Sequence, residues 1–160
     1  MANVRFWTVL AVSWFFTLIL FPLFPALSIL DPLFLLLVFL GFHLSSGRFL
    51  WAYGIFFGFL KDLSGGGLFG AWSCTFGFVG WILFLSRHLV EREDPLLQGI
   101  WAGLLTGASG LVYALVCAFS DPAARWGGAG WLTLPVTMAA GGTTAAWAFP
   151  RLGRWCRMSL

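Results

Sequence analysis

Long apolar stretches, separated by short polar or glycine-rich breaks, run along the whole chain. Proline interrupts an α-helix and a glycine run weakens one, so both residue types mark helix boundaries here. The pattern predicts six transmembrane helices within one domain that covers residues 1–160. The predicted spans are residues 6–27, 30–44, 49–63, 68–86, 96–119 and 131–149.

Composition excludes the soluble alternatives. Of the 160 residues, 60% are hydrophobic and 9% are charged, whereas a soluble domain carries about 25% charged residues. So few charges cannot cover the surface of a soluble fold of this length, which excludes a soluble enzyme, a secreted disulfide domain and a disordered tail. The basic residues are scattered singly and form no basic run, so no nucleic-acid partner is expected.

The distribution of Lys and Arg predicts the orientation in the membrane. With the N-terminus inside, seven basic residues fall on the inner side and two on the outer side. The inner residues are Arg5, Arg48, Arg87, Arg92, Arg151, Arg154 and Arg157, and the outer ones are Lys61 and Arg125. Cytoplasmic segments of membrane proteins carry the excess of Lys and Arg, so both termini are predicted to be cytoplasmic.

The second and third apolar spans are short. Residues 33–44 and 49–60 each form a stretch of about 18 Å at about 1.5 Å per residue, against a hydrocarbon core of about 30 Å. Asp62 can therefore lie below the membrane surface, in contact with Lys61, Arg125 or a backbone amide. Alternatively, the bilayer thins locally and Asp62 only caps the following turn.

Candidate catalytic and metal-binding residues lack partners in the sequence. Ser109 resembles the nucleophile of rhomboid proteases, but no histidine follows it to act as the base. His43 and His88 have no His, Cys or acidic neighbour at metal-ligand spacing, so no catalytic residue, metal or cofactor is expected. Two glycine series at helical spacing, Gly54–Gly58 and residues 99–107, predict close helix packing, either within this chain or against another membrane protein.

One segment resembles the family of the rod shape-determining protein MreD. The resemblance covers about residues 31–86. In the family, a proline begins the second helix, and a glycine-rich third helix ends in Asp. A turn of small residues follows, and a glycine then begins the fourth helix. The residues that carry it are Pro32, Gly54, Gly58, Asp62, Gly66 and Gly70. Lys61 departs from the family pattern, in which an apolar residue more often precedes the Asp.

The resemblance implies a non-enzymatic subunit of the bacterial cell-elongation complex in the cytoplasmic (inner) membrane. It also implies binding to the single-span protein MreC, assembly with the actin-like MreB, and wider contacts with a RodA-type glycosyltransferase and a class B penicillin-binding transpeptidase. A fold similar to the substrate-binding S components of energy-coupling-factor vitamin transporters is expected. Such an S component is the alternative function, although the first helix lacks the Ala-x-x-x-Ala face typical of those proteins near Ala11.

Overall fold

The computed structural model describes residues 2–23, 31–43, 47–64, 68–86, 94–120 and 128–156. These residues form six α-helices and no strand, which confirms the predicted all-α fold for the described part of the chain. The helices are α1 (Ala2–Leu23), α2 (Pro32–His43), α3 (Leu50–Leu63), α4 (Ala71–Ser86), α5 (Pro95–Ser120) and α6 (Gly128–Cys156). A short 3-10 helix, Gly47–Phe49, precedes α3.

The last helix is longer than the sequence predicts. The sequence predicts its end at residue 149, because Pro150 lacks the N–H that continues a helix, yet α6 runs through Pro135 and Pro150 to Cys156. Two basic side chains bond to carbonyls near the second proline: Arg151 Nη1 donates to the Trp147 carbonyl at 2.7 Å and Arg154 Nε to the Pro150 carbonyl at 3.2 Å. The helix continues past Pro150 because a proline inside a helix can kink it without ending it.

The most apolar helix lies at the centre of the molecule. Helix α2 contacts each of the other five, which contact one another in the order α1, α3, α4, α5, α6 and back to α1. Nine of its twelve residues are buried, and Leu33, Leu37 and Val38 are completely covered. The closest pairs in this ring are α3 with α4 and α5 with α6.

The outer helices expose large apolar side chains. Trp7 on α1, Trp81 on α4 and Phe119 on α5 are 58%, 51% and 87% exposed, and α3 and α6 carry similar residues. Judged by length and composition, α5 is the one helix of the described chain that is long and apolar enough to cross a membrane, while Trp7–Ile19, α2 and α4 are apolar but shorter.

Candidate functional site

Helices α3 and α4 touch backbone to backbone along a seam of glycines. A Cβ atom added at Gly54 would lie 2.1 Å from the Phe76 carbonyl oxygen, and one at Gly58 would lie 2.3 Å from the Trp72 carbonyl oxygen. From the opposite helix, a Cβ at Gly80 would lie 2.5 Å from the Leu50 carbonyl oxygen. We call Gly54, Gly58 and Gly80 the α3–α4 seam. Gly54 and Gly58, the first predicted glycine series, therefore pack α3 against α4 within this chain.

The second glycine series forms an equivalent seam between α5 and α6. A Cβ at Gly99 would lie 2.9 Å from the Gly142 carbonyl oxygen, and one at Gly103 would lie 2.8 Å from the Met138 carbonyl oxygen. Glycines let helix backbones approach closely where van der Waals packing holds helices together. Both predicted glycine series thus join neighbouring helices of this chain.

Asp62, at the end of α3, caps the beginning of α4. Its carboxylate accepts hydrogen bonds from the backbone N–H groups of Trp72 and Ser73 at 3.2 and 3.1 Å, and from the Ser73 hydroxyl at 2.7 Å. The first N–H groups of a helix have no partner inside the helix, and an acidic side chain is a favourable acceptor for them. Of the three alternative partners that the sequence leaves open for Asp62, the structure shows the backbone amide. Lys61 pairs with Asp31 instead, and Arg125 lies outside the described residues.

The local sequence explains why the cap comes from another helix. Gly70 immediately precedes α4 and has no side chain to supply an acceptor. Its φ of +91° lies in the left-handed region that favours glycine, although a Cβ there would meet no atom within 4 Å. Gly70 is therefore required for its backbone conformation and not for close packing. Gly66, the remaining glycine of the predicted motif, lies outside the described residues.

Asp31 plays the corresponding part at the beginning of α2. Its Oδ1 accepts hydrogen bonds from the N–H groups of Leu33 and Phe34 at 3.1 and 3.3 Å. Pro32 occupies the first helical position, where its missing N–H costs no hydrogen bond. The predicted role of Pro32 as the leading residue of α2 thus agrees with the described structure.

The other Asp31 oxygen forms an ion pair with Lys61, and it is this pair that joins α2 to α3. The Lys61 ammonium also lies 3.3 Å from the centroid of the Trp72 ring and 5.4 Å from that of Phe76. The Lys61 and Asp31 side chains are 14% and 12% exposed, so the charges are largely removed from solvent. A cation over an aromatic face is attracted to the ring electrons, which adds to the ion pair.

Trp72 extends the arrangement to a fourth helix. Its ring stacks on Tyr113 of α5, with centroids 4.1 Å apart and planes inclined by 18°. We call Asp31, Lys61, Asp62, Trp72 and Ser73 the polar corner. It joins the beginnings of α2 and α4 to the end of α3, and Trp72 links it to α5.

The charges of the polar corner nearly balance. It contains two carboxylates and one ammonium. The N-termini of α2 and α4 each contribute about half a positive charge from their backbone dipoles, and the C-terminus of α3 contributes about half a negative charge. The sum is about half a negative charge, so the Lys61 ammonium and the two N-termini compensate most of the charge of the carboxylates. The arrangement is suited to holding helix ends together and not to attracting an ionic ligand.

The residues considered for catalysis lie elsewhere. Ser109 is buried in α5, and its hydroxyl donates to the Thr106 carbonyl at 2.8 Å. His43 stacks on Phe39 at the C-terminal end of α2, whereas the polar corner lies at its N-terminal end. Within the described ranges, no three His, Cys, Asp or Glu residues are grouped so that they could hold a metal ion. His88 lies outside those ranges.

The sequence did not single out Trp72, Ser73 or Tyr113. One feature of the sequence does point to them: Gly70 has no side chain to accept hydrogen bonds from the first N–H groups of α4. The acceptor for these N–H groups must therefore come from another helix. Comparison with protein-family models, curated proteins and solved structures finds no match to this chain.

Proposed function

We propose that this chain is a non-enzymatic, multi-pass subunit of the bacterial cell-elongation complex, as its resemblance to the MreD family implies. The observation that carries the proposal is the convergence of the motif residues on one structural unit. Gly54 and Gly58 hold α3 against α4, Asp62 caps α4, and Gly70 adopts the left-handed conformation that directly precedes α4. These motif residues, which are separated in the sequence, thus meet in the α3–α4 hairpin.

In this proposal all six helices lie in the cytoplasmic membrane. The exposed apolar side chains of the outer helices support this placement, because such a surface is stable in lipid and unfavourable in water. Helix α2, with 12 residues, is about 18 Å long. It is covered by other helices on all sides and therefore need not match the bilayer thickness itself. Helix α3, with 14 residues, is about 21 Å long, and local thinning of the bilayer accommodates it.

The seven-to-two distribution of Lys and Arg supports cytoplasmic termini. With this orientation the polar corner lies at the periplasmic end of the bundle, and the C-terminal end of α2 lies at the cytoplasmic end. The cytoplasmic end would then contact the MreB-like actin. The membrane-embedded surface would contact the MreC-like single-span protein, the RodA-type glycosyltransferase and the class B transpeptidase.

The proposed role of the polar corner and the α3–α4 seam is to keep the α3–α4 hairpin rigid. The hairpin presents large exposed side chains, among them Ile55 and Phe59 on α3 and Phe78 and Trp81 on α4. A surface that is already ordered loses less conformational entropy when a partner helix binds, so its affinity is higher. The hairpin is therefore the face proposed to hold the MreC-like partner.

The test is co-purification with the MreC-like partner, together with cell shape, for Gly58→Leu and Asp62→Ala. Leucine at position 58 cannot fit against the Trp72 backbone, and alanine at position 62 leaves the start of α4 uncapped. Both variants are expected to reduce partner recovery and to round the cells. The control is Ala118→Leu, which adds bulk at an exposed position of α5. Normal rods and full recovery with both variants would refute the proposal, as would stable association with an ABC-type ATPase.

A further inference from the structure

An apolar groove of about 290 Å³ opens between α1 and α3. Trp7 and Leu10 of α1 line one side, and Phe49, Ala52 and Phe56 line the other. The groove exists because α1 meets the bundle mainly through α2 and has few contacts with α3. The side chains that line it are large, apolar and partly exposed: Trp7 is 58% exposed and Phe49 is 63% exposed.

The groove lies where α1 and α3 begin, which is the cytoplasmic end in the proposed orientation. Arg48 is exposed and directly precedes Phe49, which lines the groove. At this end, the acidic residue of the described chain is Asp94, whose carboxylate accepts hydrogen bonds from the N–H groups of Leu96 and Leu97 at the start of α5. A basic residue, Arg48, therefore borders the cytoplasmic end of an apolar groove.

We infer that this groove binds one acyl chain of an anionic phospholipid, with the phosphate near Arg48. The inference depends on the proposed membrane location and adds a binding site to it. A ligand with an apolar tail and a negative head matches both parts of the site. Anionic lipids of the cytoplasmic leaflet attract basic residues next to the membrane. A transmembrane helix of a partner, about 10–12 Å wide with its side chains, is too broad to enter a groove of this volume.

The test measures which lipid stays bound to the purified full-length protein. The protein is reconstituted in equal amounts of phosphatidylglycerol and phosphatidylcholine with identical acyl chains, and retained lipid is counted by native mass spectrometry. We expect one phosphatidylglycerol per chain. Ala52→Trp, which fills the groove, removes it. Ala139→Trp places the same side chain in the groove between α5 and α6 and leaves the bound lipid in place.

A second pair of variants tests the headgroup. Arg48→Gln lowers the preference for phosphatidylglycerol about fivefold, since a basic residue at an anionic membrane surface contributes about 1 kcal/mol. Arg154→Gln removes an exposed charge at the same end, on α6, and leaves the preference unchanged. Equal retention of the two lipids by the wild-type chain would overturn the inference, as would equal effects of Ala52→Trp and Ala139→Trp. Crosslinking of position 52 to another protein in cells would assign the groove to a protein partner instead and would also overturn it.

Discussion

At the scale of single residues, the two carboxylates of the polar corner have distinct partners. Asp62 is satisfied by hydrogen bonds from α4 and needs no counter-ion. Asp31 both caps α2 and neutralises Lys61, so its two oxygens serve different helices. Removal of one member of a poorly solvated ion pair leaves the other charge uncompensated, which costs more than removal of both.

This asymmetry gives a prediction for the Asp31–Lys61 pair. Asparagine at position 31 keeps an acceptor for the cap and removes the charge, while methionine at position 61 removes the ammonium and keeps a similar side-chain length. Lys61→Met alone should lower the thermal unfolding temperature of the purified protein. The double variant Asp31→Asn/Lys61→Met should recover about 1 kcal/mol or more of the lost stability. Additive losses in the double-mutant cycle would show that the pair is not coupled.

The helix boundaries illustrate what the sequence alone could predict. Breaks at glycine runs and the start at Pro32 follow from local backbone chemistry, and the expected backbone contact of Asp62 was among three alternatives. The Asp31–Lys61 pair joins residues 30 positions apart, which requires knowledge of the helix arrangement. The same holds for the Trp72–Tyr113 stack, because aromatic residues are frequent in every apolar segment. The sequence predicts a helix end before Pro150, whereas α6 continues through it, because a proline can kink a helix without ending it.

At the scale of helices, two glycine-sealed hairpins, α3–α4 and α5–α6, surround α2 together with α1. The glycines of the molecule differ in what they can tolerate. Where a glycine faces a backbone carbonyl, an added methyl group has no space, because the backbone of a packed helix cannot move independently. Where a glycine faces a side chain, a rotamer change can accommodate the methyl group.

Gly54 and Gly41 allow this difference to be measured. A Cβ at Gly54 would meet the Phe76 carbonyl oxygen at 2.1 Å, and a Cβ at Gly41 would meet the Leu83 side chain at 3.0 Å. Gly54→Ala should destabilise the protein by about 1–3 kcal/mol through overpacking, while Gly41→Ala should have a smaller effect. Both changes gain the same helix propensity, so unfolding of the two variants side by side isolates the packing term. Equal stability of the two would contradict the described α3–α4 seam.

At the scale of the whole molecule, opposite ends of the bundle differ. One end holds the polar corner, and the other holds Arg48 beside the groove between α1 and α3. The connection between α4 and α5 contains Arg87 and Arg92, which belong to the cytoplasmic side in this proposal.

Cysteine labelling tests that orientation. In a background without the three native cysteines, Gly128→Cys should react with a membrane-impermeant thiol reagent added to intact cells. Glu93→Cys should react only after the membrane is permeabilised. Labelling of position 93 in intact cells would reverse or invalidate the proposed topology.

The central position of α2 has a consequence for how the protein is made. The ribosome synthesises α2 before four of the five helices that cover it. With a length of about 18 Å, α2 is too short to cross the hydrocarbon core of a bilayer by itself. In the proposed membrane location, we therefore expect α2 to hold its position stably only after the helices that cover it have been synthesised. Chains interrupted before that point would present an uncovered central helix, and we expect them to be preferred substrates of membrane quality-control proteases.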